Sequence, residues 1–129
     1  MVQALVLSSL PAPKFKYSQV VKAGPNYYCS GMIAMDAETG SLINGSVGEQ
    51  TQVIMENLKL LMDELDLEWQ HLAMARIFSA DFEHFSEINK AWETVFNNLD
   101  TPPPARSSVG VSALPLNALV EMEFTFYKM

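Results

Sequence analysis

Eight residues near the C-terminus constrain the fold more than any other stretch. From Val120 to Tyr127 the chain alternates. Val120, Met122, Phe124 and Phe126 fall on one side of an extended strand, and Glu121, Glu123, Thr125 and Tyr127 on the other. A strand divided in this way needs a second layer against its apolar side. Candidates for that layer are legible upstream. Ser46-Val-Gly-Glu49 fits a capping box, in which the serine and glutamate side chains satisfy backbone N–H groups at a helix start. Ile54, Leu58, Leu61 and Leu65 then recur at helical steps, which predicts one apolar face on a helix running to about Leu65. A second helix is expected after Asp81, a suitable cap, with Phe82, Phe85, Ile88, Trp92, Val95 and Phe96 on its apolar face. Asn97-Asn98-Leu99-Asp100 and the prolines beyond stop it.

The remaining segments read as strands. They are Val2 to Leu7, Ser18 to Ala23 and Tyr27 to Ser30 around a Gly24-Pro25-Asn26 turn, His71 to Ser79, about Ala105 to Ala113, and Ala118 to Tyr127. Asp36 to Gly45 carries loop residues. The order is β-ββ-α-β-α-ββ. Two helices can cover only one face of a sheet of about six strands, so the expectation is an α+β domain with a mixed sheet and both helices on one side. The other face is then solvated or buried against another chain, and its mixed character suits a subunit interface with a pocket in it.

At 129 residues the chain is expected to form one domain, 1–129. Its 49% apolar content marks it as globular. Eight Lys plus Arg against fifteen Asp plus Glu leave a net charge of −7, which argues against a phosphate-backbone partner. Lys14, Lys16 and Lys22 make only a thin basic patch. Cys29 is the sole cysteine, so no internal disulfide forms and a reducing compartment fits. Met1 to Leu10 lacks a basic leader and is followed by Pro11 and Pro13, so it reads as a strand rather than a secretory signal. No run reaches membrane-spanning length. The default is a soluble cytoplasmic protein. His71 and His84 have no ligand-spaced carboxylate pattern, and no phosphate-loop, dinucleotide or nucleophile-elbow motif is present, so neither metal nor cofactor is expected.

Two residues near the C-terminus can carry chemistry. Pro102-Pro-Pro104 delivers Arg106 to the start of a strand on a stiff approach. A planar guanidinium suits a carboxylate; the alternative is a structural salt bridge with one of the fifteen acids. Glu121 lies in an apolar-rich strand and can move a proton or orient a water; the alternative is a solvated glutamate beside Glu123. Ser108 and Gly110 share the strand face of Arg106. Asn89 sits between Phe85 and Trp92 at helical spacing, where its amide either holds a neighbouring loop or reaches a ligand. Tyr17 can close a pocket with its ring and hydroxyl, and Ser30-Gly31 can cradle an oxygen; the alternative for each is a structural role. Cys29 points away from Ser30 and reads as core.

These residues resemble a known family. Pro104-Ala-Arg-Ser107, the following Val-Gly-Val-Ser-Ala-Leu-Pro, and Val120-Glu-Met-Glu123 are similar to the signature of the RidA/YjgF enamine/imine deaminases. Tyr17-Ser-Gln19, Ser30-Gly31, Asp36 with Glu38-Thr-Gly40, Gln50-Thr51, Glu56-Asn57-Leu58 and Ile88-Asn89 extend the likeness along nearly the whole chain. The resemblance implies a chorismate-mutase-like α+β fold and a homotrimer with clefts between subunits. It implies cofactor-independent hydrolysis of small 2-imino and 2-enamino acids, such as 2-aminoacrylate, to 2-keto acids and ammonia. Carried over, Arg106 would hold the substrate carboxylate and Glu121 would position the water. Tyr17, Ser30, Gly31, Asn89 and Ser108 would line the pocket. The chain departs from the family pattern at Phe15-Lys16, Met32, Ala34, Ser108 and Met74-Ala-Arg76, where the family carries Gly-Pro, glutamine, proline, cysteine and a lysine. The same fold could also serve a binding protein that captures a carboxylate without turnover. RNA cleavage, sometimes attached to this family, fits poorly with the charge.

The spacing of Arg106 and Glu121 admits two arrangements. If Leu114 to Ala118 closed a tight hairpin, Arg106 would face about residue 126, about 17 Å along the sheet from Glu121 at strand rise. Either the two strands do not form a simple hairpin, or a subunit boundary brings the two residues together; the second is the expectation.

Overall fold

The computed structural model describes all 129 residues. Eight elements follow one another: β1 (Gln3–Leu5), β2 (Val20–Ala23), β3 (Asn26–Met32), α1 (Val47–Glu64), β4 (Leu72–Ser79), α2 (Phe85–Phe96), β5 (Ala105–Gly110) and β6 (Val120–Tyr127). The strands form one sheet in the order β1-β2-β3-β6-β4-β5. Every pairing is antiparallel except β4 with β5. That parallel pair needs a crossover, and α2 supplies it.

The alternation in β6 does what its pattern dictates. Val120, Met122, Phe124 and Phe126 are all at most 1% exposed, while Glu121, Glu123 and Thr125 stay half-buried. The apolar side shares one continuous core with Val20 of β2, Cys29 of β3, Ala75 and Ile77 of β4, and Ile54, Leu58 and Ile88 of the helices. Each fully buried side chain of this size contributes roughly 1.5–3 kcal/mol. Both helices pack on this face and against each other.

α1 begins at the expected capping box. Ser46 Oγ accepts from the Glu49 amide at 3.1 Å, and Glu49 Oε1 accepts from the Ser46 amide at 3.0 Å. The helix also buries three polar side chains, two of which tie distant loops to it. Gln50 Oε1 accepts from Leu119 N, Thr51 donates to Val47 O, and Asn57 Nδ2 donates to Met35 O. The first and last of these bonds fix the turn before β6 and the loop after β3.

The structure departs from the sequence reading in two places. Asp81 does not cap α2 directly. A single 3-10 turn over Phe82–His84 intervenes, and His84 Nδ1 lies 2.7 Å from the Asp81 carboxylate, so the side chain is already engaged. The larger departure concerns β5 and β6, which do not pair with each other. β4 lies between them, with β5 on one edge and β6 on the other. Leu114 to Ala118 is therefore a connection between strands two positions apart, not a hairpin turn.

Candidate active site in two halves

Register places Arg106 and Glu121 on opposite faces of the sheet. Arg106, Ser108 and Gly110 stand beside Ala75, Ile77 and Ser79 of β4, all buried under the helices. Glu121 and Glu123 stand beside Phe78 and Arg76, on the face the helices leave open. Three residues along β4 and two strand spacings separate them, about 14 Å between Cα atoms by strand geometry. The sheet itself lies between the two side chains. Within one chain they form two half-sites.

The first half centres on Arg106. Its Nη2 donates to Asn89 Oδ1 at 2.7 Å. Its guanidinium carbon lies 5.2 Å from the centre of the Trp92 ring and 5.9 Å from that of Phe85. Phe85, Asn89 and Trp92 are spaced four and three apart, so α2 presents them on one face toward the arginine. The cation is held by an amide and two aromatic faces, and no carboxylate pairs with it, although the chain has fifteen. Its remaining donors have no protein partner. Two residues on, the Ser108 hydroxyl is buried and makes no hydrogen bond.

The second half centres on Glu121. Ser30 and Gly31 lie at an irregularity in the β3–β6 pairing, where register shifts between Cys29 and Met32. The bulge brings the Gly31 backbone against the carboxyl: a Cβ there would sit 2.6 Å from Glu121 Oε2 and 2.9 Å from its Cδ. Only glycine leaves the carboxyl this position. Burial first, and the Glu123 charge second, hold the Glu121 pKa above its ordinary value of 4.5. Arg76 pairs with Glu123 at 3.7 Å on the same face. Ser30 Oγ donates to Ser18 O at 2.6 Å and its amide donates to Gln19 O, which pins the segment leading from Tyr17. Tyr17 is 55% exposed at the mouth of a cavity of about 590 Å³, which Ser30, Gly31 and Glu121 also line.

The sequence-predicted residues thus fall into two groups. Tyr17, Ser30, Gly31 and Glu121 share the cavity, whereas Arg106, Asn89 and Ser108 lie on the helix side at the β5 edge. Asn89 reaches the arginine rather than the cavity. Phe85 and Trp92, core residues by pattern, also face the arginine, and their spacing around Asn89 carries that signal. Leu116, in the left-handed region at φ 56°, also lines the cavity, and nothing in a leucine announces that conformation. Elsewhere, ligand atoms of Asp81, Glu83 and His84 lie within 4.8 Å of one another. The Asp81 hydrogen bond and charge raise the His84 pKa, which describes an ion pair at the start of α2.

Sheet order, helix placement and the split site define an α+β protein of the Rid/YjgF fold. The family model described as Endoribonuclease L-PSP matches residues 7–127, and the chain belongs to this family, also known as RidA/YjgF. It is 36% identical over 118 residues to a RutC family protein of Aquifex aeolicus, covering 92% of this chain and 93% of that one. It is 34% identical over 113 residues to a protein of Dermatophagoides farinae named 2-iminobutanoate/2-iminopropanoate deaminase, covering 88% and 86%. A solved structure from Yersinia pestis, described as a protein of unknown function of the conserved Rid family, superposes with a TM-score of 0.91 at 28% identity, covering 98% and 99%. No helix is long and apolar enough to cross a membrane.

Proposed function

We propose that the protein hydrolyses small 2-imino and 2-enamino acids to 2-keto acids and ammonia, in a homotrimer that closes Arg106 of one subunit onto Glu121 of the next. The observation that carries this reading is the unpaired guanidinium. Arg106 is oriented by Asn89, Trp92 and Phe85, all neutral, so its charge remains for an anion. A carboxylate with the planar fork of a 2-imino acid fits it. The named deaminase among the relatives supports the chemistry. The split of the site supports the assembly, since one chain alone cannot present both groups to one small substrate.

The reaction follows from these groups. An enamine first tautomerises to the imine. Water adds its oxygen to the imine carbon as the C=N π pair moves to nitrogen. Glu121, ionised at the start, takes one water proton and passes it to that nitrogen, which gives the tetrahedral carbinolamine. It then carries the hydroxyl proton to the amine in the same way, and the C–N bond breaks to release ammonia and leave the keto acid. A carboxyl whose pKa is raised is a stronger base once ionised and a ready donor afterwards. Arg106 fixes the substrate carboxylate so that the electrophilic carbon faces the water. Tyr17, Ser30 and Gly31 form the wall around Glu121. The reaction needs no electron transfer and no cofactor. The net charge of −7 does not favour RNA as the substrate, whatever the family's older label.

The test is keto-acid release when purified protein is added to a dehydratase reaction that generates the enamine. Acceleration over spontaneous hydrolysis is expected. Its absence for every imine tried, with carboxylate binding retained, would replace the enzyme by a carboxylate-binding protein, which has no use for Glu121.

A further inference from the structure

Resting on the reading above, we infer that the cavity beside Glu121 selects substrates with a long apolar side chain, such as leucine- or methionine-derived 2-imino acids, over the alanine-derived one. The cavity measures about 590 Å³. That lies within the roughly 300–1,000 Å³ range of pockets that enclose drug-sized ligands. A three-carbon acid leaves most of it unfilled and forfeits the dispersion contacts of its walls.

The walls are apolar on several sides. Phe15 and Leu10 come from the segment before β2, Met32 and Ile33 from the end of β3, Leu61 from α1, and Leu116 from the turn before β6. Polar wall groups are present, and three of them already spend a donor on a protein carbonyl, while Lys14 and Tyr17 keep theirs free. Gln19 Nε2 donates to Pro11 O at 2.6 Å, Ser30 Oγ to Ser18 O at 2.6 Å, and Asn57 Nδ2 to Met35 O at 2.7 Å. A polar substrate side chain entering here would lose water without gaining these donors. Only Lys14, Tyr17 and Glu121 bring titratable groups to the lining.

Leu116 makes the selection a property of this chain's own backbone. It is a non-glycine residue at φ 56° and is 60% exposed, and a strained backbone presents its side chain at the cavity beside Pro115. Left-handed backbone at a leucine is unfavourable and persists only where the surroundings hold it. Here Gln50 receives the Leu119 amide and Ala118 N donates to Pro115 O, which hold the turn from both ends.

The experiment compares imines generated in place by an amino-acid oxidase from alanine, 2-aminobutyrate, norvaline, leucine, methionine and glutamine. The expected result is a rise in kcat/KM of about four-fold per added methylene, the factor that about 0.8 kcal/mol per buried CH₂ corresponds to. The glutamine-derived imine should fall well below the methionine-derived one of similar length. Leu116→Asn, which accepts the left-handed conformation, should lower the leucine-to-alanine ratio about five-fold, close to the loss of one or two buried methylenes. Equal rates for alanine- and leucine-derived imines, or equal rates for methionine and glutamine, would overturn the inference. Calorimetric binding of pyruvate, 2-oxopentanoate and 4-methyl-2-oxopentanoate separates it from the catalytic reading. Tighter binding of the longer acids without turnover would sustain the cavity's selectivity and sink the deaminase. Turnover with equal affinities would do the reverse.

Discussion

The two halves of the candidate site are built in opposite ways. On the helix side, Arg106 is a charge held in place by neutral neighbours: an amide at 2.7 Å and two aromatic rings. On the open side, Glu121 is a charge made uncomfortable, half-buried beside Glu123 with a glycine backbone pressed against its carboxyl. One half keeps a cation rigid and available. The other keeps an acid partly desolvated, so that it exchanges protons more readily. The contrast teaches that neither charge is paired with an opposite one within the chain, although the chain has acids to spare.

Breaking each half should give different kinetic signatures. Glu121→Gln keeps the shape and removes the base. We expect kcat to fall roughly 10²- to 10⁴-fold, the range for a positioned acid–base group, with KM and keto-acid affinity nearly unchanged. Arg106→Ala should instead abolish keto-acid binding, and Arg106→Lys should recover only part of it, since an ammonium does not match the carboxylate fork. Steady-state kinetics with calorimetry checks both. If Glu121→Gln lost binding and Arg106→Ala kept it, the roles would be reversed.

Asn89→Asp sharpens the comparison next. It places a carboxylate where the amide now accepts from Arg106, turning the free cation into an ion pair. Substrate affinity should drop about ten-fold or more while thermal stability holds or rises, in line with the 1.5–3 kcal/mol range for hydrogen bonds to charged groups. Gly31→Ala tests the other half. Its methyl would displace the Glu121 carboxyl, lowering kcat about ten-fold or more, since a 1 Å misplacement can cost as much as about 100-fold.

The pH dependence has a definite sign. A carboxyl whose folded pKa is raised binds its proton more tightly than in the unfolded chain. Its stabilising contribution is present below the unfolded value, near 4.5, and is lost as pH rises through the raised folded value. Glu121→Gln, which cannot ionise, should therefore be more stable than the parent at neutral pH and not below pH 4, as read by thermal melts. The same group makes activity rise with pH through that window. Arg106→Gln should raise the Glu121 titration further, as followed by NMR, because the opposing cation that favours ionisation is gone. The smallest effect comes from Ser46→Ala, remote from both halves. Loss of the capping box should cost about 1 kcal/mol of stability and leave kcat/KM unchanged.

How much of this was legible in the sequence depends on how local the signal is. The capping box at Ser46, the apolar stripe of α1 and the two faces of β6 are set by neighbours a few residues apart, and each appears as read. Arg106, Glu121 and Asn89 were singled out by residue type and spacing alone. What stayed hidden was relative placement. Nothing near Arg106 or Glu121 announces that β4, some thirty residues upstream of β5, inserts between their strands. The hairpin reading failed for that reason, and with it the simple pairing of the two residues. The left-handed Leu116 and the bulge at Gly31 are likewise imposed by tertiary contacts rather than by local preference.

The central claim is that one functional site takes its arginine from one chain and its glutamate from another. The most direct measurement mixes two variants, Arg106→Ala and Glu121→Gln, each inactive alone, under conditions that allow subunit exchange. In an equal mixture about one quarter of the sites formed across subunit boundaries receive both native residues, by the statistics of a symmetric ring. Imine hydrolysis should return to about that fraction of the parent rate. A mixture that exchanges subunits, seen by mass or fluorescence, and yet remains inactive would contradict the account.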